Sequence, residues 1–185
     1  MTVLYVVVVL AVLGGLWVVV TNNSFIKSRN KVDEAWSGID VQLKRRHDLV
    51  PNLVEAVKGY AAHERETLGE VTEARAQAVA ASGPADQGPA EARLDGALGR
   101  INALAEAYPQ LRAADNFRQL QGELATIEDE IQASRRIYNS NVQSYNTKIQ
   151  QFPMSIVASQ GGFTAKPFFE IGDAAERETP QVSFS

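Results

Sequence analysis

The stretch VDEAWSGIDVQLKRRHDLVPNLVEAV, Val32–Val57, places an apolar side chain at nearly every third or fourth position. Spacing of this kind puts the apolar side chains on one face of an α-helix. The apolar stripe continues as far as Ala78 and is interrupted only by Arg46, Glu64 and Thr67. It therefore predicts one very long helix, over about residues 24–81, whose stripe packs against other helices.

Two further apolar stripes follow, over about residues 90–108 and 115–152, and Pro153 ends the second. The segment Ser82–Pro89 contains two glycines and two prolines and predicts the turn before them. Amphipathic helices with narrow seams must bury those seams against one another or against other subunits. We expect an all-α fold, an antiparallel up-and-down bundle of three to four long helices. Whether the chain reverses at Tyr108-Pro109 stays open.

The N-terminal run VLYVVVVLAVLGGLWVVV, Val3–Val20, contains no charged residue. As a helix it is about 27 Å long, close to the hydrocarbon thickness of a bilayer. Tyr5 and Trp17 lie near its ends, where aromatic rings favour the membrane interface. Because no basic residue precedes the run and no small-residue cleavage site follows it, we predict an uncleaved transmembrane anchor over residues 1–22.

The flanks of this span predict its orientation. Lys27, Arg29 and Lys31 follow it, whereas no Lys or Arg precedes it. Positive residues favour the cytoplasmic side, so we expect the N-terminus outside and the helical bundle, residues 23–153, in the cytoplasm. These three residues are the lipid-proximal basic group. Within the span, Gly14-Gly15 either lets another helix approach or is simply tolerated among valines.

The basic segment QLKRRHDLVPNLV, Gln42–Val54, raises other possibilities. A chain of formal net charge -4 has no basic bias toward nucleic acid, and Asp48 follows the three basic residues directly. The segment is also about 30 Å beyond the span, too far to feel the surface potential of an upright bilayer. Pro51 lies beside the seam without breaking its register, so we predict a bent but continuous helix.

Catalytic chemistry finds little support in the sequence. Cysteine is absent, and the two histidines, His47 and His63, are about 24 Å apart along one helix. No zinc-protease motif, glycine-rich phosphate loop or nucleophile elbow occurs. We predict no enzyme activity, no metal and no cofactor. Arg46 is a charge within the apolar seam, and we expect it to snorkel outward, although pairing with an acid or a break in packing are alternatives.

Aromatic residues mark a candidate interface. Tyr138 and Tyr145 are seven residues apart on the third predicted helix and favour either core packing or a contact between subunits. The tail, residues 154–185, contains four phenylalanines, too apolar for a freely solvated segment: Phe163, Phe168, Phe169 and Phe184. We expect this tail to dock on the bundle or on a neighbouring molecule, with partial disorder as the alternative. The candidate interface is therefore Arg46, Tyr138, Tyr145, Phe163, Phe168 and Phe169.

Several blocks resemble the LemA family of bacterial membrane proteins: RNKVDEAWSGIDVQLKRRHDLVPNLVEAVKGYAAHE, EAYPQLRAADNF, RRIYNSNVQSYNTKIQQFP and PFFEI. The resemblance implies a single N-terminal anchor in the bacterial inner membrane and a cytoplasmic antiparallel helical bundle. It implies no catalytic residue and no cofactor. Some members are associated with building magnetosome membranes, which implies membrane organisation.

Two functions follow from these expectations. The first is a non-enzymatic membrane scaffold that self-associates as a homo-oligomer, since the predicted first helix exposes more apolar stripe than the shorter second helix can cover. The second is a monomeric adaptor that presents its bundle to a partner protein. The expected partners are the lipid bilayer, further copies of the chain or another protein, and not nucleic acid.

Overall fold

A computed structural model describes residues 1–171 of the chain, and those residues contain helices and no β-strand. The six helices are α1 (Thr2–Lys58), α2 (Arg65–Ala80), α3 (Gly83–Ala107), α4 (Pro109–Ala113), α5 (Asp115–Gln150) and α6 (Met154–Gln160). The all-α prediction is confirmed. The part of the tail from Gly172 onward, which includes Phe184, lies outside the described residues.

The single helix predicted over residues 24–81 is wrong at both its start and its middle. Helix α1 begins at Thr2, so the apolar run and the first bundle helix are one continuous element. A turn over residues 59–64 then separates α1 from α2, with the amides of Tyr60 and Ala61 both bonded to the carbonyl of Val57. Folding back buries Leu68 and Val71 in the same core as the end of α1, which one straight helix could not do.

The turn predicted over Ser82–Pro89 is also wrong, because α3 begins at Gly83. Pro84 lies in the first helical turn, where its missing N–H would have had no helical partner. Gly83 takes a φ of 79°, a left-handed conformation that glycine adopts without strain. The reversal between α2 and α3 therefore needs only Ala81 and Ser82. The ends of α3 and α5 lie within two residues of the predicted ends.

The chain divides into two compact units, and the larger contains residues 38–135 and 168–171 of the described chain. In this bundle unit each main helix runs antiparallel to the next. Arg93 bonds Gln77 and Tyr108 bonds Glu64, which pairs α3 with α2 in reverse order. Asp95 and Asn102 of α3 line one cavity with Glu128 and Gln121 of α5. The chain thus reverses between α3 and α5, which answers the question left open at Tyr108-Pro109.

The core of the bundle unit is built from the predicted stripes. Side chains with no exposed surface come from α1, α2, α3 and α4: Val50, Leu53, Val57, Val71, Leu94, Ile101 and Leu111. Burial of this kind is worth roughly 1.5–3 kcal/mol for each large aliphatic side chain. Within the described residues of the bundle unit, α2, α3 and α5 cover the apolar stripe of α1, so the excess of uncovered stripe expected from the sequence is not found there.

The smaller unit contains residues 1–37 and 136–167. Here the end of α5 runs antiparallel to α1, with Asn141 bonding the carbonyl of Lys31 and Lys148 bonding Ser24 and Ser28. Residues 1–20 are exposed along their whole length, and Thr21 is the first buried residue of α1. An 18-residue window of α1 near the N-terminus is long and apolar enough to cross a membrane.

The described part of the predicted tail, residues 154–171, consists of a short helix and an extended segment. Residues 154–160 form helix α6, which the sequence pattern did not predict, and an extended segment follows to Ile171. Phe163 packs on Phe25 with ring centroids 5.1 Å apart. Phe169 has no exposed surface, whereas Phe168 is 43 % exposed. This part of the tail therefore docks on its own chain.

One glycine explains how the extended segment approaches α3. A Cβ placed on Gly88 would collide with the carbonyl oxygen of Glu170. Only glycine leaves room for this backbone contact. Gly88 is itself buried in α3.

The substitution Gly88→Ala should lower the free energy of unfolding by about 1–3 kcal/mol and expose Phe169 to chymotrypsin, because the segment must shift away from α3. Gly96→Ala, in the same helix with open space at its Cβ, is the matched control and should stabilise by up to about 1 kcal/mol. Thermal unfolding by circular dichroism and timed proteolysis measure both effects. Equal behaviour of the two variants would show that the contact is unimportant.

Candidate functional site

The most unusual feature of the bundle unit is the carboxylate of Glu91, which has no exposed surface. Its Oε1 lies 2.7 Å from Nε2 of His47 and accepts a hydrogen bond of 2.8 Å from Nε2 of Gln87. Its Oε2 accepts from the guanidinium of Arg46 at 3.2 Å. A carboxylate out of water is stable only with such partners, and here both oxygens are satisfied.

Arg46 is buried and links three helices. Besides Glu91, its guanidinium pairs with Asp95 of α3 and lies 3.6 Å from Oε2 of Glu128 in α5. The expectation that Arg46 snorkels outward is wrong, and pairing with an acid is the alternative that holds. The acids come from α3 and α5 of the same chain: Glu91, Asp95 and Glu128.

His47 has a buried side chain, and its Nε2 contacts Glu91. The backbone carbonyl of His47 has a partner outside α1. Pro51 lies inside α1 and lacks the N–H that would have bonded this carbonyl. Nε of Arg75 in α2 donates to it instead, at 2.7 Å. The predicted continuity of the helix through Pro51 is confirmed, and a charged donor from α2 replaces the missing amide.

Gln87 connects the network to the end of α2. Its Nε2 donates to the carbonyl of Ala78 at 3.0 Å as well as to Glu91. The last carbonyls of a helix have no partner within the helix, so this side chain caps α2 while holding the buried carboxylate. Together Arg46, His47, Glu91 and Gln87, which we call the Glu91 network, join α1, α2, α3 and α5.

The Glu91 network favours a structural role over catalysis. Glu91 already accepts from three side chains, so it has little capacity left for a substrate proton. Within residues 1–171, no group of three His, Cys, Asp or Glu side chains could hold a metal ion. The sequence offered one overlooked signal. Glu91 lies three residues before Leu94 and extends the second apolar stripe, just as Arg46 sits in the first, so two opposite charges in facing seams predict a buried pair.

The candidate interface aromatics of the smaller unit are buried within the chain. Tyr138 and Tyr145 are each 1 % exposed. The Tyr138 hydroxyl donates to the carbonyl of Pro167 at 2.8 Å, and its ring packs edge-on against Trp36. Burial and the nearby charge of Asp33 raise the pKa of Tyr138 to about 12, so it stays neutral at physiological pH. These contacts correspond to the core-packing alternative.

The lipid-proximal basic residues all lie on exposed parts of α1. The guanidinium of Arg29 stands 5.7 Å from the centre of the Phe163 ring, a cation–π contact that holds the extended segment. Lys27 and Lys31 lie on the other side of the buried stripe, near Lys148 by helical register. The predicted span residues Val3, Tyr5, Gly14, Gly15, Trp17 and Val20 are all exposed.

The sequence matches the LemA family over residues 35–184. The chain belongs to the LemA family. It is 30% identical to a LemA protein of Metamycoplasma hominis over 142 residues, covering 75% of this chain and 64% of that protein. It is 28% identical over 188 residues to the magnetosome protein MamQ of Magnetospirillum gryphiswaldense, covering 86% of this chain and 69% of MamQ. The magnetosome protein MamQ 1 of Paramagnetospirillum magneticum matches with the same identity and coverage.

Membership in the LemA family agrees with the long apolar N-terminal helix, and both indicate a membrane-associated protein. None of these relatives bears the name of an enzyme. The chain spans just under two thirds of the length of the LemA relative from Metamycoplasma hominis.

The substitution Glu91→Ala should lower the free energy of unfolding by roughly 3–5 kcal/mol, because it leaves Arg46 and His47 buried without their acceptor. Glu106→Ala removes an exposed acid from the same helix and should change stability by less than about 0.5 kcal/mol. Chemical unfolding of the full chain in detergent, followed by circular dichroism, gives both values. If the two variants unfold alike, the Glu91 network does not support the bundle.

Proposed function

We propose that this LemA-family chain is a non-enzymatic, single-pass scaffold of the bacterial inner membrane that organises the membrane by self-association. The N-terminus would lie outside and the bundle in the cytoplasm, as the three basic residues after the span indicate. A reporter that is active only in the cytoplasm, fused after Ser185, tests this orientation and should be active. The similarity to magnetosome proteins supports a role in membrane organisation.

The observation that carries self-association is an exposed face of α2. An apolar groove of about 620 Å³ runs between the end of α1 and α2, floored by Val54 and Leu68. Along its α2 side Arg65, Gly69 and Glu73 follow one another at four-residue intervals, and all three are exposed. A groove with an apolar floor and a charged rim is typical of a surface that receives another protein.

This face is complementary to itself. In a two-fold contact each patch meets its own copy, so an antiparallel pairing centred on Gly69 brings Arg65 of one copy against Glu73 of the other. A Cβ on Gly69 would meet no atom within 4 Å, which leaves its surroundings open for the approach of a second helix. The spacing of the two charges around Gly69 is symmetric, and this symmetry favours a second copy over an unrelated partner.

Reversing one charge should break the assembly, and reversing both should restore it. Glu73→Arg places Arg beside Arg65 of the second copy, and we expect at least a tenfold weaker association, equivalent to about 1.4 kcal/mol. Combining Arg65→Glu with Glu73→Arg recreates the pair in the opposite sense. Glu106→Arg makes the same charge change on an exposed site of α3 and is the matched control.

Association is measured as the mass of the full chain extracted in native lipid discs, over a range of concentrations. The scaffold account expects a dimer or larger species for the parent chain, the control and the double variant, and a smaller species for Glu73→Arg. If Glu73→Arg, the double variant and the Glu106→Arg control all assemble like the parent chain, the interface lies elsewhere on the chain.

The second candidate is an adaptor that remains monomeric and offers the same groove to a partner helix. The observation that favours it is the closed core of the bundle unit, in which α2, α3 and α5 cover the apolar stripe of α1 without help from another copy. In that case the parent chain is monomeric at all concentrations in the same mass measurement.

A further inference from the structure

Lys148 occupies a distinctive position in the smaller unit. Its ammonium donates to the hydroxyl of Ser24 at 3.0 Å and to that of Ser28 at 2.9 Å. Both partners are neutral, and within residues 1–171 the ion pairs of the chain do not include Lys148. The side chain is half-buried. A cation held in place by two hydroxyls, without a carboxylate, favours an external anion as its counter-charge.

The depth of Lys148 relative to the span indicates which anion reaches it. The apolar run ends at Val20, and Ser24 and Ser28 lie about 6 and 12 Å farther along α1. The polar headgroup layer of a bilayer extends roughly 5–8 Å beyond the hydrocarbon on each side. With the apolar run in a bilayer, the hydroxyl of Ser24 and the ammonium bonded to it would lie near the level of the lipid phosphates, and the hydroxyl of Ser28 just beyond it.

A second observation points to contact with the bilayer. The turn between α5 and α6 follows Lys148 toward the span, and there Phe152 is 81 % exposed. Ile156, on the outer face of α6, is 50 % exposed. Aromatic and aliphatic side chains at this depth gain stability by entering the membrane interface.

Net charge supports the same assignment. The smaller unit, residues 1–37 and 136–167, contains six Lys or Arg residues and only two acidic ones, Asp33 and Glu34, in a chain of formal net charge -4. Lys27 and Lys31 follow Ser24 by three and seven residues and therefore share its side of α1. A basic end next to the span attracts anionic lipid at short range.

We propose that Lys148, Ser24 and Ser28 form a binding site for the phosphate of an anionic phospholipid headgroup, with Phe152 entering the interface beside it. The third ammonium proton of Lys148 and the two hydroxyl protons supply three donors to phosphate oxygens. Lys27 and Lys31 add electrostatic attraction without fixing the position of the headgroup. The site rests on the anchor of the proposed function but not on self-association.

Native mass spectrometry of the full chain in discs of phosphatidylcholine with a minor fraction of phosphatidylglycerol tests the site. The parent chain should retain phosphatidylglycerol about tenfold better than Lys148→Gln, the factor expected for loss of roughly one charge-assisted hydrogen bond. Lys148→Arg keeps the charge and should retain most of the binding. Lys44→Gln removes an exposed lysine about 36 Å beyond the span and should behave as the parent chain.

Two further measurements test the site even if Lys148→Gln folds poorly. Ser24→Ala combined with Ser28→Ala leaves the ammonium in place and should weaken retention by a few-fold, roughly one neutral hydrogen bond. Inorganic phosphate added to the chain in detergent tests the other source of the same chemistry. Binding of free phosphate as tight as that of the lipid overturns the headgroup assignment.

Equal retention of phosphatidylglycerol by the parent chain, Lys148→Gln and the double alanine variant also overturns the site. A chain that does not enter the discs contradicts the anchor, and with it the headgroup site. A chain that enters the discs as a monomer and still selects phosphatidylglycerol through Lys148 separates this site from the scaffold proposal.

Discussion

The buried carboxylate of Glu91 imposes the condition on which the bundle depends. An ionised group without exposed surface destabilises a protein unless other buried groups donate hydrogen bonds to it. Its donors, Arg46, His47 and Gln87, come from α1 and α3. They meet only when the chain turns back after α1 and again after α2, so the up-down-up-down order of the helices and the Glu91 network require each other.

Pro51 and Arg75 illustrate the same dependence at the level of the backbone. The proline leaves the carbonyl of His47 without its helical partner, and the side chain of Arg75 in α2 supplies a donor. The neighbouring helix α2 thus supplies the hydrogen bond that Pro51 removes, and α1 continues without a break. Loss of the α1–α2 packing would leave this buried carbonyl without its donor.

The helices of this protein were predictable where apolar periodicity alone determines structure. The stripes over α3 and α5 predict helix ends that agree with the structure to within two residues, apart from the start of α3. The apolar run of Val3–Val20 lies in a helix that is long and apolar enough to cross a membrane. The turn over residues 59–64 was missed because its stretch contains one glycine and no proline, and the stripe continues in phase across it. Tertiary burial of Leu68 and Val71 overrides the local helix preference there.

The candidate site was less predictable for a related reason. Arg46 was recognised as a charge in an apolar seam, but its partner lies on a helix whose position depends on the missed turn. The start of α3 was hidden because proline and glycine are frequent both in turns and in the first turn of helices, and only the packing of Gln87 on α2 distinguishes the two. Long-range partners of polar residues do not follow from one-dimensional spacing.

The bundle depends on the reversal of the chain between α1 and α2, and one distance tests this reversal directly. The chain has no cysteine, so spin labels on Lys44→Cys and Val79→Cys mark only these two exposed sites. Packed antiparallel helices place them less than about 25 Å apart in an electron–electron double-resonance measurement. One continuous helix would separate them by about 52 Å, and a distance in that range would contradict both the bundle and the Glu91 network.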